Sequence, residues 1–132
     1  MKKIETLWVY RLESLDPDNG LWYNNKAQNS FKKGMGILSD ECPSKNLPMG
    51  YDYRYRQNGK MWFSSCTNIE DLKHWFRAED AKKLIENGFV FRKYNATEWH
   101  EYDFETVFIK ETSLSSEEVL PETIYGDEWN NL

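Results

Sequence analysis

Residues 51–65 read YDYRYRQNGKMWFSS, and whether this run is a pair of strands or a stacking platform decides the kind of fold the chain adopts. Asn58-Gly59 sits between two alternating runs, and this dipeptide suits a type I′ turn because both central positions need positive φ. The stretch therefore reads as a β-hairpin. With a two-residue loop, Tyr55 faces Trp62 and Tyr53 faces Ser64, while Arg54 and Arg56 lie on the other face opposite Phe63 and Met61. The interleaving of rings and bases is then the product of strand alternation. A platform for single-stranded nucleic acid also displays aromatics on a sheet, but binding a phosphate backbone calls for a basic stripe as well.

Upstream, residues 6–12 (TLWVYRL) form a strand rich in aromatic and branched side chains, closed by the turn formers DPDNG. Residues 21–48 are loop-like, with clustered Asn, Lys, Gly and Ser, two prolines and little periodicity. Downstream, Thr67 and Glu70 have the spacing of a capping box, and Ile69, Leu72, Trp75 and Phe76 then share one face of a short helix. A second helix begins near Ala78 and stops at Gly88, with acids in its first turn. FVFRKYN and FETVFIK are two further strands separated by ATEWHEYD. The order predicts one α+β domain over residues 1–110, with a mainly antiparallel sheet and two short helices, rather than a βαβ repeat.

The chain has 132 residues, enough to bury a core without disulfides. Aromatic residues make up 16% of it, so rings build much of the interior and of any binding surface. Of the 22 acidic residues, six (Glu111, Glu117, Glu118, Glu122, Asp127, Glu128) fall in residues 111–132, which hold no Lys or Arg. That leaves 16 acids against all 17 basic residues in 1–110. The body is nearly neutral, which argues against nucleic acid as partner. The acidic segment also contains Leu114, Val119, Leu120, Ile124, Tyr125 and Trp129, so part of it is expected to dock and part to stay solvated. Cys42, Cys66, His74 and His100 lack the spacing of a zinc site, so no metal is expected. MKKIETLWVY has charges without the apolar run of a signal peptide, and no stretch approaches a membrane span. The expected location is the cytoplasm, and the oligomeric state is left open.

No GxSxG, P-loop or glycine-rich dinucleotide motif is present. Asp103 and Glu105 are one residue apart at the entry to a strand, a spacing that puts both carboxylates on one side. Such a pair either ends a strand or divides two tasks at a cleft, stabilising positive charge on a sugar and orienting a nucleophile.

In chain order, Arg11 on the first strand (VYR), Ser64 and Ser65 before a helix (WFSSCT) and the acid pair of DFE resemble the arginine, serine, glutamate pattern of small ADP-ribosyltransferases. The chain also resembles small bacteriophage-encoded proteins through VYRLE, WFSS, LKHWF, NGF and TVF, which together span most of residues 8–109. The first resemblance implies an ADP-ribosyltransferase-like fold and NAD as substrate. Arg11 would contact the phosphate or ribose side of NAD, and Ser64 or Ser65 would help hold the nicotinamide ribose and the glutamate, while the hairpin register sets Tyr53, Tyr55 and Trp62 on the face of Ser64 as one wall of a pocket. Glu105 would stabilise the oxocarbenium-like transition state and Asp103 would position the target side chain. The chain departs from that family in having Ser-Ser-Cys-Thr for Ser-Thr-Ser and Asp-x-Glu for Glu-x-Glu or Gln-x-Glu.

Three functions follow. The first is a phage-type transferase, active in the host cytoplasm, that modifies a host macromolecule. The second is a small acidic inhibitor or adaptor that binds a host defence or transcription protein without chemistry. The third is single-stranded nucleic-acid binding.

Overall fold

Alternation of apolar residues in LWVYRLESL and FVFRKYNA places two long strands side by side, and the rest of the chain is arranged about that pair. The computed structural model describes residues 5–15, 18–19, 62–86, 88–103 and 105–132. In chain order these form β1 (Leu7–Leu15), β2 (Asp18–Asn19), β3 (Trp62–Ser65), α1 (Ile69–Trp75), α2 (Ala78–Glu86), β4 (Phe89–Ala96), β5 (Trp99–Glu101), β6 (Thr106–Ile109), β7 (Ser116–Val119), α3 (Pro121–Tyr125) and α4 (Asp127–Asn130). Among the described residues all strand pairings are antiparallel. They make one sheet in the order β2-β1-β4-β7 and a second in the order β3-β6-β5. The α+β class with antiparallel sheets stands, divided between two sheets. The expected Asn58-Gly59 turn, the first hairpin strand and the 21–48 loops lie outside the described residues.

The two faces of β1 serve different layers. Leu12 pairs with Phe91 and, with Phe89, faces the helices, where Leu72, Ala78, Ala81, Leu84, Ile124 and Tyr125 complete a buried cluster. Val9 pairs with Tyr94 on the opposite face and packs with Ala96 and Phe108, so the second sheet covers this side. The sheets are also stitched at one point. Tyr10 donates its backbone N–H to the Cys66 carbonyl at 2.7 Å and accepts from the Cys66 N–H at 2.8 Å, so the chain leaving β3 crosses from the second sheet to the edge of β1. The segment after Lys110 supplies β7, which pairs with β4, and places Ile124 and Tyr125 in the helix-side core. The Tyr125 hydroxyl donates to the Phe76 carbonyl and ties α3 to the end of α1.

Two local expectations are corrected. The linker ATEWHEYD contains β5, a three-residue strand paired with β6. Helix α1 is capped by Asn68 rather than Thr67: the Asn68 side chain accepts from the Asp71 N–H at 2.8 Å. Both frames have the same spacing, but Cys66 is held in the bridge to Tyr10, and the chain turns into the helix two residues later. Gly88 ends the α2 turn at φ 95, a conformation that other residues adopt only with strain.

Replacing Asn68 by Ala should lower the stability to urea unfolding by about 1 kcal/mol. Thr67→Ala should cost clearly less, and equal losses would contradict this assignment of the cap.

Candidate functional site

Arg11 and Glu13 are two residues apart on β1 and therefore point to the same side, into the space between the sheets. Neither reaches solvent: Arg11 is 4% exposed and Glu13 is 0% exposed. The Arg11 Nε lies 2.7 Å from Glu13 Oε1. This contact is short but not aligned as a hydrogen bond, so attraction between the charges holds it. The other carboxylate oxygen, Oε2, accepts from the Tyr94 hydroxyl at 2.7 Å and lies 3.2 Å from Lys110 Nζ. Arg11 Nη1 also donates to the Ser64 carbonyl at 3.1 Å. The Phe63 ring faces both cations, with the guanidinium carbon 4.7 Å and Lys110 Nζ 5.0 Å from its centre. Burial and the Glu13 acceptor push the Tyr94 phenol up, so it stays a donor across the physiological range. A buried charge is tolerated only when paired and hydrogen-bonded, and here one carboxylate serves three partners.

The residues singled out from sequence differ in environment. Arg11 and Ser64 meet, through the guanidinium and the Ser64 backbone. Ser65 is buried and its hydroxyl donates to the Thr106 carbonyl at 2.8 Å, fastening β3 to β6. Glu105 is buried whereas Asp103 is exposed. The strand begins only at Thr106, so strand alternation does not extend over the pair and their carboxylates do not share a side. Trp62 stacks on His100, with ring centroids 5.0 Å apart. Tyr53 and Tyr55 lie outside the described residues. Sequence reasoning passed over Glu13, Tyr94 and Lys110. The signal for Glu13 was present in the alternation of VYRLE, while Tyr94 and Lys110 join it only through the tertiary fold.

Two further titratable groups are shaped by burial. The Cys66 thiol is pushed up by burial first and then by Asp71 and Glu105; it is no nucleophile at neutral pH. Burial likewise raises the Asp80 carboxyl, and among the described residues its Oδ2 makes no hydrogen bond. Among the described residues no group of three or more His, Cys, Asp and Glu side chains converges as a metal site. No described helix is long and apolar enough to cross a membrane.

Fold and site define a small α+β protein in which a buried carboxylate, flanked by arginine, lysine and tyrosine, locks two sheets together. The family model described as bacteriophage T4 Y00F protein matches residues 1–121, and the chain belongs to this phage family. No curated protein and no solved structure matches it.

Removing the Glu13 carboxylate takes from Arg11 and Lys110 the anion that both pair with. Glu13→Ala should cost about 3–5 kcal/mol in urea unfolding, far more than Asp103→Ala at the exposed position. Asp80 gives a pH test of opposite sign. Because its carboxyl is raised in the folded chain, the native state holds the proton longer, and stability falls as pH climbs from the ordinary carboxylate value through the raised one. Asp80→Asn should remove that fall, so the variant gains on the parent more at pH 7 than at pH 3.

Proposed function

We propose that this phage protein acts by binding a host protein through its acidic C-terminal surface, without a chemical step of its own. The observation that carries the reading is β7. This strand ends the four-stranded sheet, and its consecutive residues Ser116, Glu117 and Glu118 are all exposed, so among the described residues neither face is covered there. Exposed leucines flank it, Leu114 at 57% and Leu120 at 58%. Glu111, Glu122, Asp127 and Glu128 are exposed as well. Acids of one sign steer a basic partner, and protruding leucines supply apolar contact once it has arrived. Glu117 pairs with Lys93 at 2.8 Å, which holds one end of this surface in place.

The reading as an NAD-dependent ADP-ribosyltransferase draws support from the Arg11 to Ser64 contact, which sets the arginine strand beside the serine strand. It asks more of Arg11, whose guanidinium is buried and already engaged by Glu13, the Ser64 carbonyl and the Phe63 ring. Binding asks nothing of those groups, and for that reason it is the preferred reading.

Truncation after Lys110 would strip β7 and two core residues, so point changes make the better test. A host protein captured by the parent should be lost, with affinity at least tenfold weaker, in a Glu117→Lys, Glu118→Lys double variant and kept in a Glu79→Lys control on α2. Capture indifferent to the double change would overturn the proposal. So would transfer of label from NAD to a host macromolecule that Glu105→Ala abolishes, which would establish the transferase instead.

A further inference from the structure

Among the described residues β7 ends the four-stranded sheet, and the register of its pairing decides which of its backbone groups are occupied. Asn95 donates its N–H to the Ser115 carbonyl at 2.9 Å and accepts from the Leu114 N–H at 2.9 Å, so it turns its backbone towards β7. Backbone direction alternates along a strand. Lys93 and Phe91 therefore turn the same way, and their backbones bond to Glu117 and Val119, their partners in register. Ser116 and Glu118 then aim their N–H and C=O groups away from β4. Among the described residues nothing hydrogen-bonds to these groups, and both residues are exposed.

Donors and acceptors alternating at strand spacing are complementary to one conformation of a partner, another extended strand. Side chains restrict which strand that is. The cations next to β7 lie on β4: Lys93 is held by Glu117 at 2.8 Å, and Arg92 Nη2 donates to Ser116 Oγ at 3.0 Å. Glu118 is paired in register with Arg92 but makes no ion pair among the described residues. Residues 111–132 hold six acids, all exposed, and no Lys or Arg. Acids at a sheet edge turn away acidic and neutral strands, and they favour one that sets a basic side chain opposite Glu118. Leu120, 58% exposed at the end of the strand, offers such a segment an apolar contact.

We propose that the outer edge of β7 is a strand-addition site for an extended, basic segment of a partner protein. The inference rests on the C-terminal binding reading and gives it a mode. Main-chain bonds at Ser116 and Glu118 supply the affinity, and the acids select the segment.

The probe is the capped peptide acetyl-Lys-Val-Lys-Val-Lys-Val-amide, added to the full chain while amide hydrogen exchange is followed by NMR. In the free chain the Ser116 and Glu118 amides should exchange fast and those of Glu117 and Val119 slowly, because β4 protects the second pair. The peptide should slow Ser116 and Glu118 at least tenfold at saturation, with a dissociation constant on the order of 1 mM. Two counterparts should bind at least tenfold more weakly: one with Glu in place of Lys, and one N-methylated at every residue, which keeps the charge but has no strand donors. Ser116→Pro removes an outward donor at a position where an edge strand admits proline. It should weaken peptide binding at least fivefold while the amides of β1 and β4 stay protected, whereas Ser116→Ala should bind like the parent. Slow exchange of Ser116 and Glu118 in the free chain would overturn the proposal, and if it deepens with protein concentration the occupant is a second copy. No slowing by the Lys peptide, equal binding of either counterpart, or a folded Ser116→Pro variant that binds like the parent would overturn it as well. Host-protein capture lost in the Glu117→Lys, Glu118→Lys double variant but kept in Ser116→Pro would remove strand addition and leave the C-terminal reading standing. Slowed exchange together with host capture indifferent to the double variant would remove that reading and leave the edge as a strand-addition site.

Discussion

The carboxylate of Glu13 is the constraint on which the arrangement of the two sheets depends. It lies on β1, accepts from Tyr94 on β4 and pairs with Lys110 beyond β6, and through Arg11 it is linked to the carbonyl of Ser64 on β3. Three strands from both sheets and the residue that follows β6 are thus linked through one side chain. Such a cluster is not an efficient source of stability, since well-packed apolar residues of similar volume often do as well. What it supplies is discrimination. A one-residue slip of β1 against β4 would turn Arg11 and Glu13 towards Leu72 and Leu84 in the helix layer, where no partner of Glu13 could follow. The slip would leave charges buried and unpaired, so this register is selected against its neighbours.

The same alternation divides the apolar residues of β1 between two cores. Leu12 belongs to the helix layer and Val9 to the sheet-on-sheet layer, and neither core could close without the other. The helix layer needs Ile124 and Tyr125 from α3, so the chain beyond Lys110 contributes to the interior as well as to the surface. Val119 is the one buried residue of β7 and pairs with Phe91. A strand that is polar at three of four positions is thus held by its last residue and by the short helix that follows.

Those strands with strong alternation could be read from the sequence, because LWVYR and FVFRKYN leave little choice of face. The strands that escaped notice are those whose pattern is weak for a physical reason. WHE is too short for a period to show, and SEEV ends its sheet among the described residues, a place where exposed charges are the rule because they discourage pairing with other chains. The cap at Asn68 was obscured by two overlapping frames of equal spacing, decided by a bridge between Tyr10 and Cys66 that lies in no local pattern. At the site, Arg11 stood out for its chemistry, yet its significance rests on Glu13, Tyr94 and Lys110, the last of them contributed from far along the chain. The acid pair illustrates the converse. Asp103 and Glu105 share a side only if the strand includes both, and its start at Thr106 sends one to solvent and the other inside.

Charge placement links interior and surface. Residues 94–132 hold ten acids and a single basic residue, Lys110, and that lysine is drawn inward by Glu13. Glu105 is buried as well, which leaves the other nine acids of this segment to set the sign of what it presents outward. The exposed acids of β7 belong to that segment. Exposed acids of one sign attract basic groups before contact, with the strength of the attraction set by salt. The carboxylate that fixes the register of two sheets thus draws inward the one lysine of that segment and leaves the outward charge to its acids.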